Sequence, residues 1–123
     1  MSKVAKILIT DDSTFMCDML KDIIVEAGHE VVMASTGVEL LETYTEIKPD
    51  VVMLDIIMPG INGLETLEQL LKNHPEAKVV MCSATLGQEK IVKQALDIGA
   101  VTCIAKPFSA VEIIGAIIMC IGQ

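Results

Sequence analysis

Five polar residues stand at the C-terminal ends of apolar runs. Asp11 and Asp12 follow Ile7-Leu8-Ile9-Thr10, Asp55 follows Val51-Val52-Met53-Leu54, Ser83 follows Val79-Val80-Met81-Cys82, and Lys106 follows Val101-Thr102-Cys103-Ile104-Ala105. Carboxylates brought together repel one another, so such a set wants a hard cation or a proton. Carboxylate and carbonyl oxygens suit Mg²⁺, which keeps waters and commonly bridges to a phosphate. Three aspartates, one lysine and one Mg²⁺ sum to a charge near zero. Converting Asp55 to an acyl phosphate would exchange about one negative charge for about two, which the metal and Lys106 can absorb. The chemistry this set could do is therefore that of a carboxylate acceptor carrying one small dianion.

That chemistry requires the five positions to meet, and the rest of the sequence supplies the means. Short apolar runs at residues 4–10, 30–34, 51–54, 78–82 and 101–105 are continuous rather than alternating, as in strands buried on both faces. Between them, residues 13–27, 37–47, 63–73 and 87–98 carry apolar residues at helical spacing, and a last helix runs from about Ser109 to the end. Ser13 and Ser109 stand where N-caps belong, and Gly28 and Gly99 follow the first and fourth helices. Lys48-Pro49-Asp50 and His74-Pro75-Glu76 end the second and third. Five βα units predict a five-stranded parallel sheet covered on both faces, as one α/β domain over residues 1–123. In open α/β sheets ligands bind beyond the carboxyl ends of the strands, where all five polar residues lie.

Composition narrows the function. Of the 123 residues, 52% are hydrophobic, which excludes disorder, and 2% are aromatic with no Trp, which disfavours base-stacking binders of nucleic acid. Nine basic against 17 acidic residues give a formal charge of -8, which repels phosphate backbones and anionic lipid. The start, MSKVAK, enters an apolar run with no small-residue cleavage site, so no signal peptide is expected. Cys17, Cys82, Cys103 and Cys120 form no CxxC or Cys/His cluster and are expected to be reduced thiols of a cytoplasmic protein.

The fragments Ile9-Thr10-Asp11-Asp12-Ser13, Leu54-Asp55-Ile56-Ile57-Met58-Pro59, Met81-Cys82-Ser83-Ala84 and Ala105-Lys106-Pro107-Phe108 together resemble response-regulator receiver domains. The strand-end rule counts this family among its own examples. The single-domain length, Phe15-Met16, and Met81-Cys82-Ser83-Ala84 followed by Gly87-Gln88 are most similar to the single-domain chemotaxis regulators. The resemblance implies the doubly wound, flavodoxin-like (βα)5 sandwich. It implies a stand-alone response regulator of a two-component phosphorelay, in which Asp55 takes a phosphoryl group from a histidine kinase. Mg²⁺ would be bound by Asp12, Asp55 and the carbonyl of Ile57, with Asp11 holding metal waters. Lys106, the Ser83 hydroxyl and the backbone N–H groups of Ile57 and Ala84 would hold phosphoryl oxygens. The output would be a protein surface, with a flagellar motor component among the implied targets, and the Lys106-Pro107 bond would be cis.

One position departs from the family pattern, and two further features stand out. Cys103 stands where members commonly carry Tyr or Phe, so signalling is expected to rely on residues 84–88 and on helix four. Ile57 cannot orient a hydrolytic water. The last helix carries two apolar stripes, Val111-Ile114-Ile118-Ile121 and Ile113-Ile117-Cys120, where a surface helix needs one. Ile113 and Ile117 are therefore expected on a partner or dimer surface of the face formed by helix four, strand five and helix five, with simple burial as the alternative. His29 and His74 are isolated and receive no role, and the methionines read mostly as core filler, with Met58, next to the residue whose carbonyl is assigned to the metal, as the exception.

Other functions fit less well. An Asp-nucleophile phosphohydrolase wants a second Asp two residues on, where Ile57 stands. A flavin phosphate wants a hydroxyl- and amide-rich loop after strand one, where Asp11-Asp12 puts negative charge. An adaptor without phosphorylation and a phosphorelay carrier remain the alternatives.

Overall fold

The computed structural model describes residues 4–11, 13–56, 62–83, 89–106 and 108–122. Five strands alternate with five helices: β1 (Lys6–Thr10), α1 (Thr14–Glu26), β2 (Glu30–Ala34), α2 (Gly37–Ile47), β3 (Val51–Asp55), α3 (Gly63–Asn73), β4 (Val79–Ser83), α4 (Glu89–Ile98), β5 (Thr102–Ala105) and α5 (Ala110–Ile121). All pairings are parallel, in the order β2-β1-β3-β4-β5. That is the order known for the doubly wound class to which the sequence points. The central strands β3 and β4 are buried along their whole length, while β2 and β5 at the edges are partly covered. No helix among the described residues is long and apolar enough to cross a membrane.

Alternation along each strand divides the core in two. Ile7, Ile9, Val51, Met53, Val80 and Cys82 face one layer, with Cys17, Leu20 and Ile24 of α1 and Ile113, Ala116 and Ile117 of α5. Leu8, Val52, Leu54, Val79 and Met81 face the other, with Leu40 and Tyr44 of α2, Leu67 and Leu70 of α3, and Ala95 of α4. Caps decide where the helices begin, beside the carboxyl edge of the sheet. Ser13, Thr36 and Asn62 each accept from the backbone N–H three residues on. Ser109 and Glu112 form a reciprocal capping box. At the other ends, Gly28 with φ of 95° lies just past the Ala27 cap of α1. Lys48 ends α2 in the left-handed region, at φ of 45°, immediately before Pro49.

The surface role expected of Ile113 and Ile117 is overturned in favour of burial. Ile113 and Ile117 are fully buried in the core, whereas Val111 is 81% exposed and Ile118 and Met119 also reach solvent. Helix spacing alone cannot say which of two apolar stripes meets the sheet. Phe15, one of the apolar residues at helical spacing between residues 13 and 27, is 75% exposed. The histidines are half-buried and bonded rather than idle. His29 Nδ1 accepts from the backbone N–H of Ala5 at 2.9 Å, and the His74 ring lies 4.7 Å from that of Tyr44. Neither belongs to the carboxyl edge.

Candidate functional site

β1 and β3 are neighbours in register, Thr10 beside Leu54, so the next residues, Asp11 and Asp55, emerge side by side. Both are buried. Lys106 leaves β5 two strands away from β3, and its backbone N–H donates to the Ser83 carbonyl at 2.8 Å. From there its four-carbon stem crosses the end of β4. Lys106 Nζ lies 2.9 Å from Asp11 Oδ2 and 3.0 Å from Asp55 Oδ2. Asp11 is held on its other side too, since Oδ1 accepts from the Ser13 N–H at 2.8 Å. Its carbonyl accepts from the Cys17 thiol at 3.3 Å. Ser83, the last residue of β4, is buried, and its hydroxyl donates over a long 3.5 Å to the Ile104 carbonyl.

Two buried carboxylates against one ammonium leave this part of the site with a surplus of negative charge. Burial lowers the Lys106 pKa, but hydrogen bonds to Asp11 and Asp55 and the charges of both aspartates outweigh it and hold the group above the usual lysine range. Next to the site, burial first and the Asp55 charge second push the Cys82 thiol far up, so it stays protonated and chemically quiet. Cys17 is raised for the same reasons, burial and then Asp11.

Of the sequence-predicted site residues, Asp11, Asp55 and Lys106 are thus in direct contact, and Ser83 stands at the end of the strand between those of Asp55 and Lys106. Asp12, Ile57 and Ala84 lie outside the described residues, as do Met58, Pro107 and the segment 84–88 assigned to signalling. No three Asp, Glu, His or Cys side chains gather to hold a metal among the described residues, which do not include the third carboxylate, Asp12. The donors present nevertheless fit Mg²⁺: hard oxygens, buried, adjacent and short of positive charge. Lys106 now compensates part of that charge. The sequence reading missed the tether from Ser13 to Asp11. Its signal was an Asp two residues before a Ser, a common side-chain-to-backbone turn at a helix start.

Cys103, in the position where an aromatic was expected, is half-buried between β5 and α4. Its Sγ lies 4.0 Å from the Val92 carbonyl, and burial raises its pKa.

The family model of the response regulator receiver domain matches residues 7–118. The chain belongs to the response regulator receiver domains. Among curated members of the family, the chemotaxis protein CheY of Thermotoga maritima is 44% identical over 113 residues, 91% of this chain and 93% of that protein. CheY of Listeria monocytogenes is 46% identical over 113 residues, covering 91% and 94%. Among solved receiver domains, the response regulator domain of Thermotoga maritima CheB superposes with a TM-score of 0.89 at 37% identity, covering 98% of both chains. A receiver domain protein from Clostridium thermocellum gives 0.92 at 30% identity, covering 97% and 95%. The chain is thus a CheY-like receiver domain, a module of two-component signalling.

Proposed function

We propose that this receiver domain works as a stand-alone response regulator whose Asp55 accepts a phosphoryl group from a phosphohistidine of a histidine kinase. The observation that carries the reading is the ion-paired set Asp11–Lys106–Asp55 at the carboxyl edge of the sheet. An Asp55 Oδ atom attacks phosphorus, an O–P bond forms, the P–N bond of the donor breaks, and the imidazole leaves with its electron pair. Lys106 already touches the attacking carboxylate, so it is placed to follow the charge onto a phosphoryl oxygen as a point charge. The long contact of the Ser83 hydroxyl is weak, so turning it toward a phosphoryl oxygen costs little. Ala84 and Ile57 would add backbone N–H groups to the same oxygens. Asp11, Asp12, Asp55 and the Ile57 carbonyl would hold Mg²⁺, which when bound supplies the positive charge that an incoming dianion needs.

The chemistry is self-modification rather than turnover of a substrate. Output follows through the surface, in chemotaxis or motility, as the CheY relatives suggest. Their own length is covered to 93% and 94%, which supports action as one domain. Four free thiols suit the reducing cytoplasm. An output partner, a flagellar motor protein or a second copy, would meet the face formed by α4, β5 and α5; Leu96 of α4 and Val111 and Met119 of α5 are exposed.

The test is incubation with Mg²⁺ and acetyl phosphate, followed by acid-labile phosphate on the protein. Wild type is expected to incorporate about one phosphoryl group per chain and Asp55→Asn none. A wild type that stays unmodified, and binds no beryllofluoride, would move the protein to the adaptor alternative.

A further inference from the structure

Gly63 opens α3 directly beneath the residue that carries the chemistry. A Cβ built on it would lie 2.4 Å from the Asp55 carbonyl oxygen, 2.6 Å from Ile56 Cα and 2.6 Å from the Ile56 carbonyl oxygen. All three are backbone atoms, which cannot swing aside as a side-chain tip can. Both sides of the contact are anchored. On the strand side, Asp55 is paired in register with Cys82, and Ile56 N–H donates to the Cys82 carbonyl at 3.0 Å. On the helix side, the Gly63 N–H donates to the Ile56 carbonyl at 2.8 Å, and Thr66, Leu67 and Leu70 are fully buried.

We infer that Gly63 is a positioning residue for Asp55: its missing side chain lets the start of α3 abut the Asp55–Ile56 backbone and sets the Asp55 carboxylate against Lys106 and Asp11. This rests on Asp55 being the phosphoacceptor. A methyl group at residue 63 must displace either the helix or the strand end. Displacing the strand end carries the carboxylate away from its 3.0 Å contact with Lys106. Misplacement of a reacting group by about 1 Å can cost on the order of a hundredfold in rate.

A second glycine provides the control. A Cβ on Gly37 would lie 2.3 Å from Thr66 Oγ1, so it also crowds α3, but against a side chain on the α2 side. Gly63→Ala and Gly37→Ala are compared with wild type in the full chain. Phosphorylation of Asp55 by acetyl phosphate with Mg²⁺ is expected to slow by about tenfold or more in Gly63→Ala and by less than about twofold in Gly37→Ala. The NMR shifts of Asp55 13Cγ and Lys106 15Nζ are expected to move in Gly63→Ala alone, which a generally loosened fold would not produce. Equal effects in both variants, or unmoved shifts in Gly63→Ala, overturn the inference. If Gly63→Ala is unfolded, the comparison is repeated with trimethylamine N-oxide, which favours the folded state. A chain that stays unfolded even then assigns Gly63 to folding and overturns the inference too. Should wild type take up no phosphoryl group, the proposed function falls, while the two NMR shifts still decide the role of Gly63.

Discussion

Lys106 stands between two carboxylates that water barely reaches, with side-chain exposures of 3% for Asp11 and 8% for Asp55. Removing one partner from such a cluster leaves charge buried without compensation, at a cost of about 3–5 kcal/mol. Lys106→Met keeps the length and apolar stem but removes the charge, so it is expected to lower stability by about 3 kcal/mol at neutral pH, read from urea unfolding without Mg²⁺. The pH dependence follows from the raised Lys106 pKa. A group bound more tightly to its proton when folded stabilises fully below its unfolded pKa, here 10.5, and loses that contribution as pH climbs through the raised value. The alkaline fall in stability should therefore be steeper in wild type than in Lys106→Met. The Cys120 thiol, pushed up to about 11 by burial, falls in the same direction in both proteins and cancels in the comparison.

At the scale of the element, α5 shows how a helix with two apolar stripes is read by its neighbours. Ile113 and Ile117 fill the layer against Ile9, Met53 and Val80, with α1 alongside. Truncating Ile117 to Ala leaves a cavity in a close-packed layer and is expected to cost about 3 kcal/mol by thermal or urea unfolding. Val111→Ser, on the exposed stripe, is expected to change stability by less than about 0.5 kcal/mol. The opposite ranking would return Ile113 and Ile117 to the surface role first expected of them. A loss of partner affinity in Val111→Ser at unchanged stability would mark the outer stripe as a contact.

For the whole molecule, the order β2-β1-β3-β4-β5 decides the site. It makes the strands of Asp11 and Asp55 adjacent and puts those of Ser83 and Lys106 in sequence beyond them. The candidate site residues therefore stand at the last positions of the strands or just beyond them, while the ladders beneath hold them in place. A ligand that binds only this folded arrangement stabilises all of it. Mg²⁺ at about one hundred times its dissociation constant should add about 2.7 kcal/mol. Asp11→Asn, which removes a buried negative charge from the cluster, should shrink that gain, and calorimetry with and without Mg²⁺ measures both.

Much of this was legible along the chain. The five βα units, the Ser13 and Ser109 caps and the helix stops at Lys48 and His74 are local, set by periodicity and by side chains within a few residues. The residue types at the strand ends, and so the chemistry proposed for them, needed only one general rule about parallel sheets. Contacts between residues far apart in sequence were another matter. Which stripe of α5 meets the sheet, that Phe15 faces water, that Lys106 reaches both aspartates, and that Gly63 seats α3 against Asp55 all depend on what packs opposite each residue. A sequence records each side chain but not its neighbour across the fold, and in a close-packed interior that neighbour decides whether a methyl group stabilises or collides.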